Sequence, residues 1–126
     1  MEAYHILIVE DDKEILDGVG IYMKNQGYEV FKAQNGLEGL KILEKEEIHL
    51  AIIDIMMPIM DGLEATACIR ALEREDAMTV PIIAMTAKAF VDDRQKSFAA
   101  GMNEHLAKPL EAKEIIKTLV KFVVQD

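Results

Sequence analysis

Polar groups follow four separate short runs in this chain, three of them apolar. Glu10, Asp11 and Asp12 come directly after Ile6-Leu7-Ile8-Val9, and Asp54 after Leu50-Ala51-Ile52-Ile53. Thr86 follows the run that closes with Met85, and Lys108, with Pro109 behind it, follows Glu104 to Ala107. A cluster of carboxylates repels itself unless something neutralises it, and oxygen donors with no cysteine or histidine pair beside them suit a hard cation such as Mg²⁺. An aspartate can attack phosphorus as a nucleophile, while a metal and a lysine offset charge on the phosphoryl oxygens. A threonine hydroxyl can donate a hydrogen bond to the same oxygens. Each residue also has a plainer reading. Asp11 with Glu14 three residues on has helix-capping spacing, Asp54 suits a turn, Thr86 a capping hydroxyl and Lys108 a solvated amine. The functional reading gains its weight from the set, because all four positions stand at the ends of expected strands.

Those runs must be strands for the set to meet. Short apolar runs alternate with longer stretches of helical period, the pattern of βαβ units and a parallel sheet covered on both faces. After the first run, Ile15, Val19, Tyr22 and Met23 share one face of a helix that stops at Gly27. Tyr28-Glu29-Val30-Phe31 predicts a second strand, and Leu37, Leu40 and Leu43, after Asn35-Gly36, a second helix. Leu50 to Ile53 form a third strand, followed by a loop with Pro58 and Asp61-Gly62 and a helix from about Leu63 to Glu73 whose end, Arg74-Glu75-Asp76, is polar. Val80-Pro81-Ile82-Ile83-Ala84-Met85 predicts the fourth strand, with Pro81 acceptable at its start. A fourth helix is expected from Phe90 to Ala100, ended by Gly101. A short fifth strand then spans Glu104 to Ala107, and Ile115, Ile116, Leu119, Val120 and Val123 stripe the last helix. Right-handed crossovers favour a flavodoxin-like (βα)₅ three-layer sandwich with a parallel five-stranded sheet in order 2-1-3-4-5. In that order ligands sit beyond the carboxyl ends of strands one and three, where Glu10, Asp11 and Asp54 stand.

The 126 residues suit one domain, residues 1–126, with about half its residues apolar. A formal charge of −9 argues against a sequence-independent grip on nucleic-acid backbones. The single cysteine, Cys68, excludes an intramolecular disulfide and is expected to be a packed small side chain in a reducing interior. No apolar run is long enough to span a bilayer, and Met1-Glu2-Ala3-Tyr4-His5 lacks the parts of a signal peptide, so a cytoplasmic location without a membrane partner is expected. Met56, Met57 and Met60 suit gap-filling more than a partner surface. His5 and His49 have no ligand neighbours in sequence and are assigned no role. Gly18-Val19-Gly20 lies within a helix and lacks the third glycine of a dinucleotide fingerprint.

Taken in order, Ile6-Leu7-Ile8-Val9-Glu10-Asp11-Asp12, Ile53-Asp54-Ile55-Met56-Met57-Pro58 with Met60-Asp61-Gly62, Met85-Thr86-Ala87 and Ala107-Lys108-Pro109 make the chain resemble the receiver domain of two-component response regulators along nearly its whole length. The resemblance implies Asp54 as phosphoacceptor, Glu10 and Asp11 as the acidic pair, and the main-chain carbonyl of Met56 as a further metal ligand. Mg²⁺ is the implied metal, with Mn²⁺ as a substitute. Asp12 is left to cap the first helix. Thr86 and Lys108 are implied to contact the phosphoryl group, and the Lys108–Pro109 peptide to be cis. At the switch position three residues before the lysine the family usually holds Tyr or Phe; here stands His105.

These implications lead to one expected function. A histidine kinase or histidine phosphotransfer protein donates a phosphoryl group to Asp54, Thr86 and His105 shift, and the face around the fourth helix, fifth strand and fifth helix changes for a downstream protein target. The chain is then no conventional enzyme, although it catalyses its own phosphorylation and loses the acyl phosphate to water. It acts as a monomer or as a weak, phosphorylation-dependent homodimer. Two rivals are a receiver-like module that binds partners without phosphorylation, and a small-molecule phosphatase using Asp54. The complete acidic, threonine and lysine set argues against the first. The lack of a second aspartate two residues after Asp54 argues against the haloacid-dehalogenase form of the second.

Overall fold

The computed structural model describes residues 3–54, 62–71, 80–86, 98–107 and 112–123. In chain order these form β1 (His5–Val9), α1 (Lys13–Asn25), β2 (Glu29–Ala33), α2 (Gly36–Lys45), β3 (Leu50–Asp54), α3 (Gly62–Arg70), β4 (Ile82–Thr86), α4 (helical at residues 98–100), β5 (Glu104–Ala107) and α5 (Ala112–Phe122). The five strands are all parallel, in the order β2-β1-β3-β4-β5, as expected.

Alternation along the central strands divides the core into two layers, because successive side chains of a strand point to opposite faces. Leu7, Val9, Ala51, Ile53, Ile82 and Ala84 point to one face, where they pack with Leu43 of α2 and Ile69 of α3. Ile6, Ile8, Leu50, Ile52, Ile83 and Met85 point to the other, against Leu16 and Met23 of α1 and Ile115 and Leu119 of α5. The result is three layers, with the sheet in the middle. Each Val, Leu, Ile or Met side chain removed from water contributes about 1.5–3 kcal/mol, which is why Ile6 to Val9 of β1 and Leu50 to Ile53 of β3 are apolar without a break.

Local chemistry sets the helix ends. Asp12 is the N-cap of α1, accepting the backbone N–H groups of Glu14 at 3.0 Å and Ile15 at 3.4 Å. At the other end Gly27 takes φ +94°. Its N–H donates to Lys24 O at 3.0 Å and the Tyr28 N–H to Met23 O at 3.2 Å, the two bonds of a Schellman motif. Asn35 caps α2 by accepting from Glu38 N at 2.9 Å, while its own amide donates to Glu38 Oε2 at 3.0 Å.

Several sequence boundaries shift. β2 begins at Glu29 and continues through Lys32 and Ala33, because these pair with Ile8 and Val9 of β1. β4 begins at Ile82 and includes Thr86; Val80 and Pro81 precede it, with Pro81 O accepting from Ala51 N at 2.9 Å. Among the described residues α3 ends at Arg70 with a turn at Ala71, and the expected end at Glu73 lies outside them. Tyr22 and Val120, both placed on buried stripes by their spacing, are exposed; Met23 is buried as expected, and the buried face of α1 also takes in Leu16 and Gly20. Cys68 is half-buried.

Candidate active site

Register brings the acids together. Val9 and Ile53 are partners across β1 and β3, so Glu10 and Asp54 are each one step further along adjacent strands. Glu10 is fully buried and Asp54 is 2% exposed. Asp11, the next residue in the loop, is exposed. One ligand oxygen from each of Glu10, Asp11 and Asp54 can be chosen so that all three lie within 4.8 Å of one another. They form the one such cluster of potential metal ligands among the described residues.

The cluster is held from below. The Glu10 N–H donates to Ala33 O, at the carboxyl end of β2, at 3.0 Å. Glu10 Oε1 accepts the Asp12 N–H, also at 3.0 Å. Asp12 therefore does two jobs: its backbone fixes the Glu10 carboxylate and its side chain caps α1. The capping role that spacing allowed for Asp11 belongs to Asp12, which frees Asp11 for the cluster.

The donor set fits a hard divalent cation. Burying two carboxylates beside a third is unfavourable through desolvation and mutual repulsion, and a bound cation offsets both. Octahedral coordination with bonds of about 2.1 Å spaces ligand oxygens roughly 3–4.2 Å apart, so a spread of up to 4.8 Å needs only small rotations to close.

The other expected site residues are placed in part. Thr86 is the last residue of β4 and the register partner of Ala107, the residue before Lys108. Asp54 pairs with Met85, one step before Thr86. The backbone of β4 and β5 thus ends at the same rim as Glu10 and Asp54. Met56, Lys108 and Pro109, with the expected cis peptide, lie outside the described residues, as do the side chains of Thr86 and His105. The link between Asp12 N–H and Glu10 was missed in the sequence; its signal is the run of three acids placed directly between a strand and a helix.

A family model for the response regulator receiver domain matches residues 6–120. The chain belongs to that family. This receiver domain is 40% identical over 111 residues to the regulatory protein VanR of Enterococcus faecium, a match that covers 88% of the chain and 46% of the relative. In structure it resembles chemotaxis protein CheY4 of Vibrio cholerae, with a TM-score of 0.90 and 28% identity over 96% of this chain and 99% of that one. It also resembles the receiver domain of the sensor histidine kinase PA1611 of Pseudomonas aeruginosa PAO1, solved with a magnesium ion coordinated in its active site cleft. There the TM-score is 0.88 and the identity 32%, over 98% and 99% of the two chains. The receiver domain spans about half the length of several curated relatives that it matches. No helix among the described residues is long and apolar enough to cross a membrane.

Proposed function

We propose that this receiver domain accepts a phosphoryl group on Asp54 from the phosphohistidine of a histidine kinase or a histidine phosphotransfer protein, and that the transfer requires Mg²⁺. The observation that carries this reading is the meeting of Glu10, Asp11 and Asp54 at one rim of the sheet. The magnesium in the active site cleft of the PA1611 receiver domain supports the choice of metal, and Mn²⁺, with the same preference for oxygen ligands, is expected to substitute. Glu10, Asp11, Asp54 and the main-chain carbonyl of Met56 are the proposed ligands. When bound, the cation draws charge from the phosphoryl oxygens and relieves the repulsion among the carboxylates.

The protein's own groups perform the rest. An oxygen of the Asp54 carboxylate forms the new bond to phosphorus as the P–N bond to the donor imidazole breaks. The imidazole nitrogen leaves with the bonding electrons and takes a proton from solvent. Thr86 and Lys108 hold the phosphoryl oxygens by hydrogen bond and charge, and the burial of Asp54 limits the access of water. Water later attacks phosphorus, the P–O bond to Asp54 breaks, and inorganic phosphate leaves. The domain thus catalyses its own modification and its reversal without being a conventional enzyme. Movement of Thr86 towards the phosphoryl group, followed by His105, reshapes the face of α4, β5 and α5 for a downstream protein. This assigns the domain to the cytoplasm, with no direct nucleic-acid contact, as a monomer or a weak phosphorylation-dependent homodimer.

Intact mass after incubation with acetyl phosphate tests the reading. One phosphoryl adduct is expected, dependent on Mg²⁺ and absent from Asp54→Asn. An adduct that survives Asp54→Asn, or none in the wild type, overturns it.

A further inference from the structure

We propose that Arg70 fixes the amino ends of β4 and β5 as the pivot of the switch, so that movement begun at the acidic rim bends the carboxyl ends of these strands and leaves their starts in place. The movement rests on the phosphoacceptor reading; the pivot rests on geometry at the opposite end of the sheet.

Arg70 stands in the last turn of α3, with its guanidinium partly buried. Nη1 donates to Val80 O at 2.8 Å, just before β4. Nε and Nη2 both donate to Gly101 O, at 3.0 and 2.7 Å, directly after α4. Nη2 also donates to Asn103 Oδ1 at 2.8 Å, just before β5. That same Oδ1 accepts the Ile82 N–H at 2.9 Å, while the Asn103 N–H donates to Ile82 O at 2.7 Å. One planar fork therefore ties α3 to the starts of both strands and to the end of α4.

A lysine has one compact ammonium and cannot serve these spread acceptors in one plane. The clamp is also tightly packed: a Cβ at Gly101, whose φ is +107°, would stand 3.0 Å from Arg70 Cγ. The side chains of Val80, whose carbonyl the clamp holds, and of Met102, between Gly101 and Asn103, are buried in the same core layer. From Ile82 to Thr86, β4 rises roughly 13 Å, so the clamp and the rim lie at opposite ends of one strand. For a strand to bend at its carboxyl end while its start stays in place, that start needs a tether. The clamp supplies it.

The test is backbone amide NMR on the full chain, for wild type, Arg70→Met, which keeps the aliphatic stem, and Arg70→Lys, which keeps the charge. In the unphosphorylated protein, amide exchange at Ile82 and Asn103 is expected to accelerate at least tenfold in Arg70→Met and less in Arg70→Lys, with Leu7 and Ile52 unchanged. On adding acetyl phosphate and Mg²⁺, wild-type shift changes at Met85 and Thr86 are expected to exceed those at Ile82, Gly101 and Asn103 at least fivefold. In both variants the changes are expected to spread to residues 101–103. Equal wild-type changes at both ends of β4, or variants indistinguishable from wild type, overturn the pivot. Absence of change at every residue instead overturns the phosphoacceptor reading and removes the movement that the pivot serves. If Arg70→Met is unfolded, Arg70→Lys decides alone by the same criteria.

Discussion

Val9 is the register partner of Ile53, and this one pairing delivers Glu10 and Asp54 side by side at the rim of the sheet. A shift of one residue between β1 and β3 would turn every side chain of one strand to the wrong layer, so the two-layer core and the acidic site are set by the same register.

The crowding of like charges has a stability consequence. With metal removed by a chelator, Asp54→Asn is expected to raise stability by about 1 kcal/mol, because it deletes one of three neighbouring carboxylates without changing shape. Mg²⁺ at ten times its dissociation constant is expected to stabilise the wild type by about 1.4 kcal/mol. The same ion should leave Asp54→Asn nearly unaffected. Urea unfolding with chelator and with Mg²⁺ measures all of these, and a destabilised Asp54→Asn in chelator would show that repulsion does not dominate the site.

Asp11 and Asp12 are adjacent acids with separate work, and their alanine variants are expected to part cleanly. Asp12→Ala loses the α1 cap at a cost of about 1 kcal/mol. Its Mg²⁺ affinity should stay within about twofold, since the bond to Glu10 comes from the Asp12 backbone. Asp11→Ala is expected to lower Mg²⁺ affinity about tenfold or more without loss of stability. Calorimetric titration beside thermal unfolding decides the matter, and equal metal defects in the two variants would contradict the division.

Two glycines at positive φ should respond to alanine unequally. At Gly27 nothing lies within 4 Å of an added Cβ, so Gly27→Ala is charged only for the backbone conformation, about 1–2 kcal/mol. Gly101→Ala meets the same kind of penalty and also strikes Arg70 Cγ at 3.0 Å; it is expected to lose more. Denaturant midpoints of the two variants, side by side, check the order.

How far the sequence is legible depends on the range of the contact. The runs Ile6 to Val9 and Leu50 to Ile53 announce buried strands because every position is apolar, and the strand order then puts Glu10, Asp11 and Asp54 together. Spacing alone leaves the cap open between Asp11 and Asp12, both acids near the start of one helix; the family resemblance assigns it to Asp12, and the Asp12 carboxylate does accept the Glu14 N–H. The sequence pattern ends the second strand at Phe31, yet pairing with Ile8 and Val9 extends β2 through Lys32 and Ala33. Arg70 is hardest. It reads as an ordinary polar residue in a helix, and its partners at Val80, Gly101 and Asn103 are carbonyls and an amide brought near by folding. No periodicity marks such a contact. His5 and His49 are similar: the His5 N–H donates to His49 Nδ1 at 2.8 Å across 44 residues of chain.

A pair of core substitutions separates stability from positioning. Leu7 and Ile53 pack in the same core layer and are both essentially fully buried. Leu7→Ala and Ile53→Ala are each expected to cost about 2–5 kcal/mol through lost burial and the cavity left behind. Ile53 is bonded directly to Asp54, however, whereas Leu7 is three residues before Glu10. A cavity at Ile53 lets the Asp54 carboxylate drift from the other two, and a site loosened by even about 1 Å loses function. Ile53→Ala is therefore expected to bind Mg²⁺ several-fold more weakly than Leu7→Ala, both measured at a temperature where each variant is fully folded. Equal affinities would mean that the rim is held by the loops and by the Asp12 N–H rather than by the packing of β3.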